Sequence, residues 1–370
     1  MRKLLRTILL KPVLWAMAKF SSKPVRKRIF EALSKLFSTI LHEPGKRGLV
    51  IPFKEQTGKF IILSDQHKGA RNGADDFMLA EPNYLAALNY YSTNGFVYIN
   101  LGDSEELWEN RLAKVKKYNT ATFEAEKIFL QKNVFVKIFG NHDLYWDNDP
   151  LAWMQLKNIY GEKLKVYEGV ILQTTIGSQQ SAAGHPLSIF LTHGHQGDAS
   201  SDGNWFSKFF VARIWAPLQA FLRINPNTPA YDAVKKTLHN VMMYEWSSKQ
   251  NNILLITGHT HQPVFGSLTH LERLYQQYEA GKKKNDDSLL KELEKQIKQK
   301  DPGFTELTVD YSDTKPSYFN SGCCCFSDGD ITGIEIADGY IRLIKWEMKK
   351  EISQREVLEE MSLKELSEQL

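Results

Sequence analysis

Apolar residues in this chain come in short runs that end abruptly in polar, metal-liking side chains. Phe60-Ile61-Ile62-Leu63 gives way to Ser64-Asp65-Gln66-His67, and Phe96-Val97-Tyr98-Ile99 leads to Gly102-Asp103. Val134 to Phe139 is followed by Gly140-Asn141-His142-Asp143, Ile189-Phe190-Leu191 by Thr192-His193-Gly194-His195, and Ile253-Leu254-Leu255-Ile256 by Gly258-His259-Thr260-His261. Runs this short, rich in β-branched and aromatic residues, predict buried strands. Each polar motif therefore falls where a strand becomes a loop. In open α/β sheets ligands bind at that carboxyl edge, so five distant segments can converge on one place.

Between the strand runs the apolar spacing turns helical, from Asn83 to Thr93 and from Tyr118 to Lys132, as a layered α/β domain requires. Two insertions interrupt the pattern. Residues 198–250 hold the aromatic-rich stretch Asn204 to Trp246, read as a helical lid; its segment Trp205 to Leu222 is apolar on nearly every face and must be buried against the core, a lipid chain or a membrane. Residues 268–300 read as a solvated helical hairpin with a polar turn from Gly281 to Asp287. Farther on, Asp330 to Ile336 and Tyr340 to Trp346 flank Ala337-Asp338-Gly339, a β-hairpin signal. The sheet is expected to end near residue 347, with 348–370 a charged helix or tail.

Charge changes the picture at one end only. The net charge of +4 conceals 12 Lys/Arg against 2 Glu in residues 1–48, which are +10, leaving −6 for the rest. This segment is read as a basic amphipathic arm, separate from a catalytic domain over 49–347. Its uncharged run from Pro12 to Ala18 is too short to span a bilayer, and Lys11 and Lys19 interrupt any signal-peptide core. Basic amphipathic helices carrying Trp, Phe and Leu favour anionic membranes, so residues 1–41 are expected to bind a membrane surface, or else to pack on the domain itself. The expected location is cytoplasmic, peripheral on the inner face of the cell membrane. Three consecutive cysteines, Cys323 to Cys325, form no disulfide framework and suggest a reducing compartment; they read as small hydrophobes in a core strand.

Asp and His together suit Mn²⁺, Fe or Zn²⁺ better than the all-oxygen sites of Ca²⁺. Two such ions can activate a bridging water and clamp an in-line phosphoryl displacement, which makes phosphoester hydrolysis the reaction class.

The ordered set Asp-x-His, Gly-Asp-x-x-Glu, Gly-Asn-His-Asp, His-Gly and Gly-His-Thr-His resembles the calcineurin-like metallophosphoesterases over roughly residues 58–347. The resemblance implies a layered α/β/β/α sandwich and two divalent ions, Mn²⁺ first and Fe or Zn²⁺ as alternatives. It implies that Asp65, His67 and His261 hold one ion, that Asn141, His193 and His259 hold the other, and that Asp103 bridges them. His142 then faces the substrate, with Asp143 orienting its ring. Glu106 is expected to orient a ligand, and Arg71 and His195 are candidates for substrate contact. His42, His185, His239 and His270 are read as bystanders.

Within that family the chain looks most like the UDP-2,3-diacylglucosamine pyrophosphatase branch, through the lid before Gly-His-Thr-His, the following Pro263, and Leu101-Gly102-Asp103 with Glu106 and Trp108. It departs from that branch in carrying His142 where Arg is expected. The resemblance implies a phosphodiester or pyrophosphate substrate, lipid-linked by the apolar lid and arm. The alternatives are a soluble phosphodiesterase or phosphatase, a nuclease, or a non-catalytic metal-binding module. Nucleic acid is disfavoured because the body outside the arm is acidic.

Overall fold

The computed structural model describes residues 24–176, 185–197, 233–284, 286–301 and 313–370. Its elements in chain order are α1 (Arg26–His42), β1 (Gly48–Pro52), β2 (Phe60–Leu63), α2 (Glu81–Thr93), β3 (Val97–Leu101), α3 (Leu112–Tyr118), α4 (Thr120–Gln131) and β4 (Phe135–Ile138). There follow α5 (Tyr145–Asn148), α6 (Ala152–Tyr160), β5 (Val166–Tyr167), β6 (Gly169–Ile176), β7 (His185–Thr192), α7 (Ala233–Ser247) and β8 (Ile253–Thr257). The chain closes with α8 (His270–Lys284), α9 (Asp287–Lys300), β9 (Tyr318–Asn320), β10 (Ile331–Ala337), β11 (Tyr340–Lys349), β12 (Ile352–Ser362) and α10 (Leu363–Gln369).

The strands form two sheets, a five-stranded one in the order β1-β6-β7-β8-β9 and a seven-stranded one in the order β12-β11-β10-β2-β3-β4-β5. They pack face to face. Phe60, Ile62, Ile99, Leu101, Val136 and Ile138 from one sheet meet Val170, Leu172, Ile189, Leu191, Leu254 and Ile256 from the other, all buried. Side chains alternate along a strand, so each sheet has a second apolar face to cover. Helices α2, α4 and α6 cover the seven-stranded sheet, and α1 and α7 cover the five-stranded one, giving the expected α/β/β/α layering.

All five strand runs form strands, and β2, β3 and β4 run parallel, as do β7, β8 and β9, so the motif loops leave along shared edges. The β10–β11 hairpin turns at Asp338 and Gly339, both at positive φ (55° and 82°), the geometry of a type I′ turn. Helices α8 and α9 make the expected hairpin around a small core of Leu274, Leu293 and Ile297.

Two boundaries are corrected. The arm is not separable from the domain beyond residue 25: Ile29, Leu33, Leu36 and Ile40, one face of α1, are buried against Ile171, Phe190 and Trp246. That face is spent on the protein's own sheet and is not presented to a membrane. Residues 1–23 lie outside the described residues, as does 198–232 of the lid. Helix α7, the closing part of that insertion, packs into the core through Met242, Met243 and Trp246. The charged tail is not one helix either. Residues 352–362 form an edge strand on β11, since alternating burial lets polar residues face water from one side. Only then comes α10, whose Leu363 and Leu366 enter the inter-sheet core.

Candidate metal centre

Five motif loops meet at the carboxyl edges of the two sheets. Those after β2, β3 and β4 carry Asp65 and His67, Asp103, and Asn141 and His142, while those after β7 and β8 carry His193 and His195, and His259 and His261. The chain turns sharply to aim these side chains. Asp65, His67, Asp103, His259 and His261 all sit at positive φ, between 49° and 68°. For residues with a Cβ this costs about 1–3 kcal/mol each, and such strain clusters at functional sites. Glycine permits the close approach between loops: a Cβ on Gly140 would lie 2.1 Å from Asp103 Oδ1.

The nitrogen and oxygen atoms converge. His67 Nε2 and His261 Nε2 are 3.2 Å apart, and Asp65 Oδ1 stands 3.1 Å from His261 Nε2 and 3.8 Å from His67 Nε2. Asp103 Oδ2 lies 3.1 Å from His193 Nε2 and 3.8 Å from His67 Nε2, between the two sets. His193 and His259 form a group with Asp103 whose ligand atoms all lie within 4.8 Å of one another. Two nitrogens each ~2.0 Å from one tetrahedral ion stand ~3.3 Å apart, so the spacing of His67 and His261 fits a shared cation.

Hydrogen bonds at the far sides of the rings decide which nitrogen faces inward. Glu106 Oε2 lies 2.8 Å from His67 Nδ1, and the Leu101 carbonyl accepts from His193 Nδ1 at 2.8 Å, leaving each Nε2 lone pair aimed at the cluster. Asp65 is anchored through its other oxygen, which accepts from the His259 backbone N–H at 3.0 Å and from the Ser64 hydroxyl. Asp103 accepts from the His142 N–H at 2.8 Å. Meanwhile Asp65 Oδ1, Asn141 Oδ1 and His193 Nε2 are buried with no hydrogen-bond partner among the described residues. Buried orphan acceptors beside one another are costly unless a cation satisfies them, so this donor set fits divalent metal.

The same closeness couples the charges of these groups. Burial alone would raise the Asp65 carboxyl, but the His261 and His193 imidazoles hold it well below the usual carboxylate range. Burial would lower the His193 imidazole, yet Asp103 and Asp65 lift it to about 9. His195 lacks such support: burial and the neighbouring His193 push it down to about 3. Its ring centroid is 5.4 Å from that of His193 and its Nδ1 has no partner among the described residues, so it borders the cluster as a neutral imidazole.

His142 occupies the mouth, with its side chain 25% exposed, stacked on Trp108 at 4.5 Å and with Nδ1 2.7 Å from Glu106 Oε2. Here the structure corrects a role. Glu106, and not Asp143, is the carboxylate at the His142 ring; Asp143 is buried and accepts from the backbone N–H groups of Gly140 and Ser104, tying two motif loops together. Arg71 pairs with Glu81 Oε1 at 2.5 Å and donates to the Tyr118 carbonyl at 3.3 Å.

Sequence reasoning missed three features. His239, read as a bystander, is buried with Nε2 2.6 Å from the Gly194 carbonyl and its ring 5.2 Å from that of His259. Nothing in its helical context marks it. The cysteines do not lie in a strand: β9 ends at Asn320, and Cys323 to Cys325 form a sixth loop at the same edge. The third is a buried ionic network beneath the site, where Lys68 Nζ contacts Glu126 at 2.6 Å and Glu105 at 3.2 Å, and Lys137 Nζ contacts Glu105 at 3.0 Å. Trp146 Nε1 donates to Glu105 at 2.7 Å, and Tyr84 and Tyr160 donate to Glu126 at 2.8 and 2.6 Å. The available signal was Lys137, a charge inside an otherwise apolar strand.

No curated protein matches the chain. Among solved structures, Vacuolar Protein Sorting 29 from Cryptosporidium parvum is similar at 11% identity, covering 82% of this chain and 98% of that one; its TM-score of 0.30 is too low to add weight. The family model for Calcineurin-like phosphoesterase matches residues 58–263, more than half of the chain and all five motif loops. The chain belongs to the calcineurin-like phosphoesterase family and is a metal-dependent phosphoesterase.

Proposed function

We propose that the chain is a binuclear hydrolase of a phosphodiester or pyrophosphate bond, with Asp65, His67 and His261 holding one divalent ion, Asn141, His193 and His259 the other, and Asp103 between them. The observation that carries this reading is the position of Asp103 Oδ2, 3.8 Å from His67 Nε2 and 3.1 Å from His193 Nε2. One carboxylate oxygen addresses both clusters. Such an ion pair, Mn²⁺ by preference, supplies Lewis acidity toward the phosphoryl oxygens and toward a water.

The residues of the chain do the rest. Glu106 holds His67 on one side and His142 on the other, and Trp108 supports the His142 ring from below, so the imidazole is fixed at the mouth of the site. With Nδ1 turned to Glu106, Nε2 is free to donate a proton to the leaving-group oxygen or to charge on the phosphoryl group. Asp143 keeps the loops of Asp103 and His142 in register, so the proton donor and the carboxylate move as one unit.

For the substrate we favour a lipid-linked phosphoester such as UDP-2,3-diacylglucosamine. What supports this is the sequence of the segment between the His193 and His259 motifs, rich in apolar and aromatic residues from Trp205 to Leu222, together with the basic residues 1–23. No helix among the described residues is long and apolar enough to cross a membrane, so an association with anionic lipid would be peripheral and would rest on residues 1–23.

The test offers UDP-diacylglucosamine and a plain chromogenic diester to the protein with Mn²⁺, with products identified by mass spectrometry and bound metal by elemental analysis. Release of UMP and lipid phosphate supports the lipid reading; turnover of only the diester overturns it. Asp103→Asn should abolish turnover and lower bound metal together. Normal metal content in that variant would remove Asp103 from its bridging place.

A further inference from the structure

His67 and His193 each present Nε2 to the cluster and place Nδ1 on an oxygen, Glu106 Oε2 and the Leu101 carbonyl, both at 2.8 Å. His261 breaks the pattern. Its Nε2 faces Asp65 Oδ1 and His67 Nε2, so with Nε2 given to a cation its Nδ1 would carry the ring proton, and the group that meets it is Cys325 Sγ at 3.8 Å. Cys323 stands beside both groups and interacts electrostatically with His261.

The loop that brings the sulfurs there is built for the position. The Cys324 backbone N–H donates to the Ser64 and Asp65 carbonyls at 3.1 and 3.2 Å, so the cysteine loop is fastened to the backbone of the first metal motif. Alternation along the chain turns Cys324 the other way, into the core outside the seven-stranded sheet, with its thiol 3.9 Å from the Thr332 carbonyl. Cys323 and Cys325 are thereby left on the His261 side, each buried to 1% exposure.

We propose that Cys325, supported by Cys323, is a positioning residue that accepts the Nδ1–H of His261 and so fixes the tautomer and aim of this imidazole, doing with sulfur what oxygen does for His67 and His193. The assignment rests on His261 holding an ion, as in the function proposed above. Outer partners of metal-bound imidazoles are worth about 10–100-fold in metal affinity.

The experiment titrates the metal-free full chain with Mn²⁺ by calorimetry and with Co²⁺ by absorption, comparing wild type with Cys325→Ala, Cys325→Ser and Cys324→Ala. The expected result is two ions bound by wild type and by Cys324→Ala, a loss of at least about tenfold in affinity for one ion in Cys325→Ala, and partial rescue in Cys325→Ser, whose hydroxyl can still accept. The metal-free melting temperature of Cys325→Ala should match that of Cys324→Ala, while its rise on adding metal should be smaller. Fewer than two ions on wild type would defeat the binuclear reading itself. Two ions at wild-type affinity in Cys325→Ala would overturn the positioning role alone. A thiolate-to-cobalt charge-transfer band that vanishes in Cys325→Ala would overturn it in another way, by making Cys325 a direct ligand.

Discussion

The two outer faces of the sandwich are covered by different chemistry. Over the seven-stranded sheet, α2, α4 and α6 enclose Lys68, Glu105, Glu126 and Lys137, all fully buried, and three tyrosine hydroxyls that close the network. Over the five-stranded sheet, α1 and α7 present mainly Ile, Leu, Met and Trp to Ile171, Phe190 and Leu255. The first cover is costly to assemble, since buried charges must be desolvated and each partner satisfied. Yet it is the one that reaches the metal loops, because Lys68 follows His67 and Glu105 lies two residues after Asp103. The second touches ligand loops through two residues of α7, His239 at the Gly194 carbonyl and Asn240, which accepts from the Thr260 hydroxyl at 3.1 Å and donates to Gln262, and otherwise serves to keep apolar surface from water. The first face holds the loops through buried charge, and the second is mainly cohesive.

Removing the apolar cover should have the largest effect. Deleting residues 1–42 strips Ile29, Leu33, Leu36 and Ile40 from the core; at ~1.5–3 kcal/mol per buried side chain the loss is on the order of 6–12 kcal/mol, comparable to the whole stability of a domain. Soluble yield and the circular-dichroism melt should collapse; an intact melt would mean α1 is dispensable. Glu105→Gln, which leaves Lys137 without its charged partner, should cost about 3–5 kcal/mol in urea unfolding. Unlike a purely apolar change, it should also reduce retained metal by loosening the loop of Asp103; unchanged metal retention would sever the network from the site. Ile40→Val should cost only ~0.5–1.5 kcal/mol and leave metal content untouched, so a drop in metal there would erase the distinction between the faces.

Much of this was legible in the sequence, and the reasons are specific. The strands before Asp65, Asp103, Asn141, His193 and His259 are buried on both faces, so they read as continuous apolar runs, and their loops could be placed at one edge without knowing the topology. The two-sheet division was not readable from period or composition, and came only from the family resemblance. Cys323 to Cys325 misled because a cysteine in a core strand and one in a loop beside a ligand have the same local sequence. The basic arm misled for a similar reason: an amphipathic helix shows that an apolar face needs a partner, and not whether the partner is lipid or the protein's own sheet. Glu106 sits on the ligand His67 as expected, but it also stands at the His142 ring in place of Asp143, because that carboxylate comes from a different loop, a relation that adjacency along the chain does not encode.

The candidate ligands come from both sheets, His67 and Asp103 from loops of the seven-stranded one and His193, His259 and His261 from loops of the five-stranded one. Neither sheet alone holds a complete set, so a nascent chain has no site until the two have docked. Metal acquisition is then a late event in the life of the molecule, a selection made by a finished fold. An ion held by residues of both sets would act as a rivet across the seam between the sheets, and chelation should then weaken that seam at its carboxyl edge before it disturbs either sheet.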